Sequence, residues 1–527
     1  MGKDAREPLR HFGWDFRGCS HYPARRRMSV AATDGTWMSG VKMPGAHSGT
    51  CSAARAKEGT RHAPRLTGAS REGDTCVRGR TALASRWRRT VVLGTSLLSL
   101  FGSARCNEAR VVSEEEVQSL NFPGPILLGP NAAAPQYAYV ASTNFDLRFR
   151  SGRLHVFDLA AVESALEGCE APCVLDLQSL PEITASSVAV RSFASTLRRS
   201  ATEEGLYLVS REDSSLSRLT LENGGRDVGC GADSAACDDD AARIDTETSV
   251  LRSGLGLPTD PVDAQVIGLV TPGRFRELLL VAYRAGSLAL LGSRGIGQPL
   301  ELIEVASALA REITGLYVRE AAQEVWLFGQ RDSRIGQVRL VLQDGQPSGV
   351  EPLVIASPRV LTGTDTGRAQ LEADIRAMSA LPDRPERVLL LTRQPQALLQ
   401  ASLAGGGPQT LEVRRATEVS VGASRLTVTR LRGLSLALVS TFDDASLSVF
   451  DAEQGRSLGS ARQLSGPFEI AVDPVREWAL VTDFRASSVR VIRLSGLLDC
   501  LEAVSTERCQ PELIATIGTP RPVSELN

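Results

Sequence analysis

The sequence has almost no lysine or histidine beyond a basic leader. All three lysines (Lys3, Lys42 and Lys57) and four of the five histidines precede residue 86. Past that point the chain contains one histidine, His155, and no lysine. A mature chain that starts near residue 106 therefore has no Schiff-base lysine, no P-loop lysine and no second histidine for a zinc site.

The two parts of the chain carry net charges of opposite sign. The formal net charge is -2, but residues 1–89 hold 18 Lys and Arg against 7 Asp and Glu, and the remainder holds 41 against 54. A phosphate backbone would repel the acidic remainder, so nucleic acid is not an expected partner. Residues 1–85 show no strand or helix periodicity, and we interpret them as a disordered leader or a mis-assigned start.

Residues 86–106 have the order of an export signal. Three arginines precede an apolar run at 91–101, which is too short to span a bilayer, and small residues follow up to Cys106. This order resembles a bacterial lipoprotein signal, which implies that Cys106 carries lipid and begins the mature chain. Arg105 departs from the small residue of that pattern, so ordinary cleavage after Ala104 stays open. Both alternatives predict an exported protein, periplasmic or at the cell surface.

A strand–turn–strand pattern recurs seven times after the signal. The two clearest copies, 438–452 and 480–494, start 42 positions apart, and the others lie at 137–159, 205–221, 277–291, 324–342 and 387–403. Units at such a period bury their faces against one another. Near-continuous apolar strands, such as LLLVAY at 278–283, are typical of sheets covered on both faces.

We therefore predict an all-β fold, a seven-bladed β-propeller of four-stranded antiparallel blades over residues 124–527. A polar, acidic tether at 107–123 connects it to the signal. A β-sandwich is the alternative, although its strands would alternate more strictly. The segment 512–520 reads as the last outer strand, so the next inner strand around the ring is the one at 125–130. The ring is then expected to close between the two chain ends.

One segment resembles a known family. PFEIAVDPVREWALVTDFRASSVRVIRL, at 467–494, is similar to the YVTN-type seven-bladed propeller repeat of exported bacterial proteins. Residues 467–474 match its inner strand and turn, and 481–484 and 489–492 match its next two strands. The similarity extends over 137–159 and 434–494. It implies the propeller fold, and it implies a likeness in fold to lactonases rather than an activity.

Six of the seven cysteines after the leader form close pairs: Cys169 with Cys173, Cys230 with Cys237, and Cys500 with Cys509. An exported chain can oxidise such pairs, and lipidation would account for the remaining Cys106. Each pair follows the third strand of a repeat. We therefore predict three disulfides that staple insertions between the third and fourth strands, all at one rim.

Catalytic and metal-binding patterns are weak. Residues 455–459 spell G-x-S-x-G, but a nucleophile elbow needs a later histidine, and none follows His155. We interpret these residues as a propeller hairpin and His155 as a packed strand residue. The acidic run at 238–240 is interpreted as a solvated loop, because adjacent carboxylates on an extended chain point in different directions. No cofactor and no metal are expected.

The longest loop between second and third strands, NFDLRFRSG at 144–152, is the candidate binding loop. It interleaves two aromatic rings with charges: Phe145, Asp146, Arg148, Phe149 and Arg150. This composition suits a peptide or an anionic group, and a self-packed turn is the alternative.

Together these features predict a lipid-anchored, monomeric propeller that acts as a non-catalytic binding or scaffold module of the cell envelope. Its expected partner is an envelope protein or a glycan, and its lipid anchor contacts the membrane. The alternative is a lactonase-like or other hydrolytic propeller. Such an enzyme should converge carboxylates, or His155 with a carboxylate, at one end of the axial channel.

Overall fold

The computed structural model describes residues 119–149, 151–202, 205–211, 214–230, 237, 243–244, 257–269, 273–295, 298, 300–319, 323–329, 335–343, 346–353, 359–361, 368–370, 373–403, 411–503 and 509–520. Within them the chain forms seven sheets in the order of the sequence, each built on four antiparallel strands, which confirms the predicted propeller. The strands of each blade are named A to D from the axis outward. Neither helix in this part of the chain is long and apolar enough to cross a bilayer.

Blades 1 to 3 occupy the first half of the ring. Blade 1 contains β1 (Pro123–Gly129), β2 (Tyr137–Ser142), β3 (Gly152–Asp158) and β5 (Thr184–Val190), with helix α1 (Leu159–Glu167) between β3 and β5. Blade 2 contains β6 (Ala194–Arg199), β7 (Gly205–Ser210), β8 (Ser215–Glu222), β9 (Asp227–Gly229) and β10 (Arg243–Ile244). Blade 3 contains β11 (Pro261–Gly268), β12 (Glu277–Tyr283), β13 (Ser287–Ser293) and β14 (Glu301–Ala306). Short 3-10 turns lie at Pro181–Ile183 and Asn223–Gly225.

Blades 4 to 7 complete the ring. Blade 4 contains β15 (Ile313–Arg319), β16 (Glu324–Gly329), β17 (Gly336–Gln343) and β18 (Gln346–Pro352). Blade 5 contains β21 (Asp374–Leu381), β22 (Arg384–Gln394), β23 (Ala397–Leu403) and β24 (Leu411–Glu418), extended outward by β19 (Arg359–Leu361) and β20 (Arg368–Gln370). Blade 6 contains β25 (Ala423–Leu431), β26 (Leu434–Thr441), β27 (Ser446–Asp451) and β28 (Arg456–Ala461). Blade 7 contains β29 (Pro467–Asp473), β30 (Trp478–Asp483), β31 (Ser488–Arg493) and β32 (Glu512–Ile517), with helix α2 (Ser495–Glu502) before β32 and β4 (Cys173–Leu175) outside it.

The core lies between the blades. Buried apolar residues form seven clusters, and each cluster is shared by two neighbouring blades, including blades 7 and 1. Because both faces of a blade are covered, its B strand is largely buried, and in β12 all seven residues are buried. This burial is the physical reason for the near-continuous apolar runs in the sequence.

The seven A strands surround the axis. Each packs against the next, and β29 packs against β1, so the ring closes between the chain ends. Every A strand also contains a register break near its first residues against its B strand, as between Ala194 and Thr196 in blade 2. Such β-bulges re-aim side chains. The bulges lie at the end of the ring formed by the B–C and D–A loops, here called the B–C face.

Two of the three cysteine pairs lie at the expected position between C and D strands. The structure pairs Cys169 with Cys173, Cys230 with Cys237 and Cys500 with Cys509, with Cα–Cα separations of 6.0, 5.1 and 5.6 Å. The first and third pairs lie between C and D strands. The second does not, because β9 and β10 both pair with β8 and Cys230 follows β9. This pair therefore lies between β9 and β10, the two segments that together form the D strand of blade 2.

The folded domain begins earlier than the expected boundary at 124. Leu120, Asn121 and Phe122 are already buried, and β1 starts at Pro123. The reason is that these residues form the D–A connection of the ring and pack against blade 7. The rest of the expected tether, 107–118, the leader, the signal with Cys106, and the acidic run at 238–240 lie outside the described residues.

Candidate functional site

Phenylalanine rings from different blades meet on the B–C face, five of them from loops and Phe468 from the start of β29. Phe145, in the B–C loop of blade 1, lies with its ring centroid 5.8 Å from that of Phe122, 5.5 Å from Phe193 and 5.4 Å from Phe484. Phe484 extends the contact to Phe442 at 6.2 Å and Phe468 at 6.1 Å. We name these six residues the phenylalanine cluster. Its edge-to-face and tilted geometries are those that aromatic pairs prefer.

The backbone of the D–A connections directs part of this cluster. Phe122 and Phe193 precede A strands and have left-handed φ angles of 49° and 55°. The carbonyl of Phe122 accepts a hydrogen bond from the Thr143 N–H at 3.1 Å, and that of Phe193 accepts one from the Arg211 N–H at 3.1 Å. A left-handed conformation is costly for a bulky residue, so the fold has to impose it. These turns place both rings against the neighbouring B–C loops.

Arginines stack on the cluster at its blade 6 and 7 side. The guanidinium carbon of Arg485 lies 4.5 Å from the Phe442 ring centroid, and that of Arg425 lies 4.4 Å from the Phe468 centroid. Both distances are within the range of cation–π attraction. A Cβ at Gly466 would lie 2.9 Å from Arg485 Cγ and 3.1 Å from Phe442 Cε2, so a glycine permits this close stack.

The cluster is only partly buried. Phe145, Phe193, Phe468 and Phe484 are half-buried, whereas Phe122 and Phe442 are buried. Two large apolar side chains beside it are exposed, Leu147 at 54% and Val421 at 52%. Exposed apolar surface that brings together several loops is typical of interaction sites.

Part of the candidate binding loop packs into the phenylalanine cluster, and part of it is exposed. Phe145 joins the cluster, and Asp146 and Arg148 form an exposed ion pair at 3.1 Å. Asn144 holds the loop, because its Nδ2 donates to the Phe149 carbonyl at 2.9 Å and its Oδ1 accepts from the Phe149 N–H at 3.0 Å. Arg150 lies outside the described residues.

A small polar cleft of about 30 Å³ lies beside this loop. Its lining is mostly serine and asparagine: Ser119, Asn121, Ser142, Asn144, Phe149, Ser151, Gly152 and Arg153. Asn121 Nδ2 donates to Asp146 Oδ1 at 3.1 Å, which ties the start of the domain to the loop. The cleft has the volume of a bound water rather than of a substrate.

The A strands carry charged pairs around the axis. Arg198 contacts Asp263 at 2.9 Å, Arg376 contacts Asp374 at 2.8 Å, and Arg425 contacts Glu469 at 3.0 Å. Burial lowers the pKa of the Arg376 guanidinium, and the Asp374 carboxylate opposes that shift. The axis is therefore not apolar, but each of these carboxylates is paired with an arginine instead of converging with other carboxylates.

His155 is enclosed in the sheet. It is 0% exposed, its imidazole stacks on Phe157 at 5.9 Å, and neither nitrogen has a hydrogen-bond partner among the described residues. Burial, followed by the positive charge of Arg153, lowers its pKa to about 3. A neutral, fully covered imidazole cannot reach a substrate at the axis.

The G-x-S-x-G pattern has a structural role. Residues 455–459 form the turn before β28 and most of that strand, as the hairpin interpretation predicted. Within the described residues, no group of three or more His, Cys, Asp or Glu side chains could hold a metal ion.

Sequence reasoning found one residue of the cluster, Phe145, and missed the rest of it. A signal existed, because Phe442 and Phe484 follow the B strands of the two clearest repeats at matching positions. Phe122 and Phe193 carry no such signal, since their placement depends on left-handed turns before the A strands.

The fold places the chain among seven-bladed β-propellers. No family model matches the sequence, and no curated protein matches it. Solved structures similar to it include a Bacteroides uniformis protein proposed to be a 6-phosphogluconolactonase, 14% identical with a TM-score of 0.49, covering 73% of this chain and 98% of that one. The periplasmic gluconolactonase PpgL of Pseudomonas aeruginosa is 13% identical with a TM-score of 0.45, covering 76% and 98%. The hydrazine synthase of Kuenenia stuttgartiensis is 8% identical with a TM-score of 0.46, covering 73% and 99%. Likenesses at this level carry no argument about activity.

Proposed function

We propose that this chain is an exported propeller that binds another envelope component, a protein or a glycan, through the phenylalanine cluster and without catalysis. The observation that carries the proposal is the half-buried cluster itself, which gathers loops of blades 1, 2, 6 and 7 on one face. Aromatic side chains and arginines dominate binding energy at interfaces. The stacked Arg425 and Arg485 add polar groups to an otherwise apolar surface.

Export and anchoring are part of this proposal. Three cysteine pairs at disulfide distances support an oxidising compartment. The lipoprotein-like order of residues 86–106 supports lipid at Cys106, and the segment 467–494 supports a relation to YVTN-type repeats. Cys106→Ser should abolish incorporation of radiolabelled fatty acid and release the protein from membranes. Unchanged labelling would exclude Cys106 as the site.

Binding through the cluster can be tested by site-specific cross-linking in intact envelopes. A photoreactive residue at position 147, exposed beside the cluster, should give discrete adducts. The matched control is position 475, because Val475 is 63% exposed but lies in the A–B turn of blade 7, at the opposite face. The adducts from position 147 should disappear when Phe145 and Phe484 are both changed to Ala. Equal adducts from positions 147 and 475, or none from 147, would contradict the proposal.

A lactonase-like hydrolase is the second candidate. The observation in its favour is the presence of Asp263, Asp374 and Glu469 on A strands around the axis. Each of them contacts an arginine of an A strand and does not converge with a second carboxylate, which favours binding over acid–base catalysis. Purified protein should therefore not hydrolyse gluconolactones. Hydrolysis of gluconolactones that is reduced in the Asp374→Asn and Glu469→Gln variants would instead show that the protein is a hydrolase.

A further inference from the structure

The seam between blades 7 and 1 differs from the other six junctions. The four strands of blade 1 and strands A to D of blade 7 lie far apart in the sequence, so the polypeptide does not run directly from one blade to the other where the ring closes. The polypeptide itself joins every other pair of neighbouring blades. Noncovalent contacts must therefore hold this seam.

An insertion of blade 1 crosses the seam on the outside. Residues 159–180, here called the clasp, contain α1, the Cys169–Cys173 pair and β4. β4 pairs in parallel with β32 of blade 7, with Cys173 opposite Ala515 and Leu175 opposite Ile517. Among the described strands, it is the one that joins the sheet of another blade.

Hydrogen bonds extend this attachment beyond the strand pair. The Gly518 N–H donates to the Leu175 carbonyl at 2.9 Å, and the Thr519 hydroxyl donates to Asp176 Oδ1 at 2.7 Å. The Thr519 hydrogen bond is the main cause of a lowered pKa at Asp176. The clasp thus captures the residues that directly follow the last strand of the ring.

An ion pair and apolar contacts form a second attachment. Arg476, in the A–B turn of blade 7, contacts Glu163 of α1 at 2.8 Å and the buried Asp473 at the end of β29 at 2.9 Å. The apolar side of the clasp enters the core cluster of blades 7 and 1, where Leu159, Val162, Leu175 and Leu177 lie with Trp478 and Ile517. The clasp is therefore anchored at its helix, at its strand and in the core.

We propose that the clasp holds the ring closed between blades 7 and 1, and that the Cys169–Cys173 disulfide stabilises this closure by fixing β4 against blade 7. Cys173 is the first residue of β4, so the bond restrains the segment that leads into the strand pair. A disulfide that closes so short a loop reduces the number of conformations open to the detached segment by a factor of about thirty. The Cys230–Cys237 bond has no such position, because it lies within the interrupted D strand of its own blade.

Hydrogen–deuterium exchange on the full chain tests this inference. Cys169→Ser combined with Cys173→Ser should accelerate exchange in β32 about thirtyfold and leave β13, on the far side of the ring, unchanged. The matched control, Cys230→Ser with Cys237→Ser, should leave β32 unchanged. Exchange in β32 at the rate of the unaltered chain, or acceleration equal in β13, would overturn the proposal.

A second variant covers the case in which the double serine variant does not fold. Thr519→Val keeps both cysteines and removes only the hydrogen bond to Asp176. It should accelerate exchange in β32 by a smaller factor, again without effect in β13. No acceleration in β32 would overturn the proposal on its own.

Discussion

Acid should weaken the fold through His155. The group has a pKa of about 3 in the folded protein against an ordinary value of 6.5, because burial and Arg153 both disfavour its charged form. The unfolded chain therefore binds more protons than the folded one between these values. The stability that this creates is complete above pH 6.5 and is lost as the pH falls toward 3.

The size of the effect follows from the two pKa values. Between pH 7 and pH 5.5 the loss is about 1 kcal/mol, and between pH 7 and pH 4 it is about 3 kcal/mol. His155→Leu replaces the imidazole with an apolar side chain of similar volume and removes the titration. The variant should keep its packing on Phe157 while losing this part of the pH dependence.

Urea unfolding at pH 7, 5.5 and 4, followed by tryptophan fluorescence, measures both proteins. Carboxylates contribute the same pH dependence to each, so the difference between the two slopes isolates His155. The free energy of unfolding of the unaltered chain should fall by about 3 kcal/mol more than that of the variant. Identical pH dependence in the two proteins would refute the burial of a neutral His155.

Two further substitutions test the packing and the buried charge. Glu277→Gln should destabilise the protein by about 2 kcal/mol. The buried carboxylate accepts hydrogen bonds from the hydroxyls of Ser200 and Tyr207 at 2.8 and 2.7 Å, and the glutamine NH2 group would face one of these donors with a second donor. Thermal unfolding that matches the unaltered chain would contradict this. Gly466→Ala should lower stability by about 1 kcal/mol by pushing Arg485 off Phe442, whereas Gly168→Ala, which has no atom within 4 Å of its added Cβ, should not. Equal melting temperatures of the two alanine variants would argue against the stack.

The architecture was accessible to sequence reasoning because its causes are local. Repeats recur at a regular spacing, and a strand covered on both faces must be apolar along its length, as in 278–283. The cysteines of each pair are close in sequence, so they could be paired without knowledge of the fold. The one misplaced pair, Cys230 with Cys237, depends on how the D strand of blade 2 is interrupted, which no local pattern records.

The candidate site could be predicted only in part, because it is assembled from both ends of the chain. The sequence by itself determined the seven blades, the hairpin nature of 455–459 and the presence of an aromatic loop at 144–152. Only the closed ring brings Phe122 and Phe145 of blade 1 against Phe484 of blade 7, and only the ring places β4 beside β32. These contacts depend on ring closure and on left-handed turns, and neither leaves a periodic trace in the sequence.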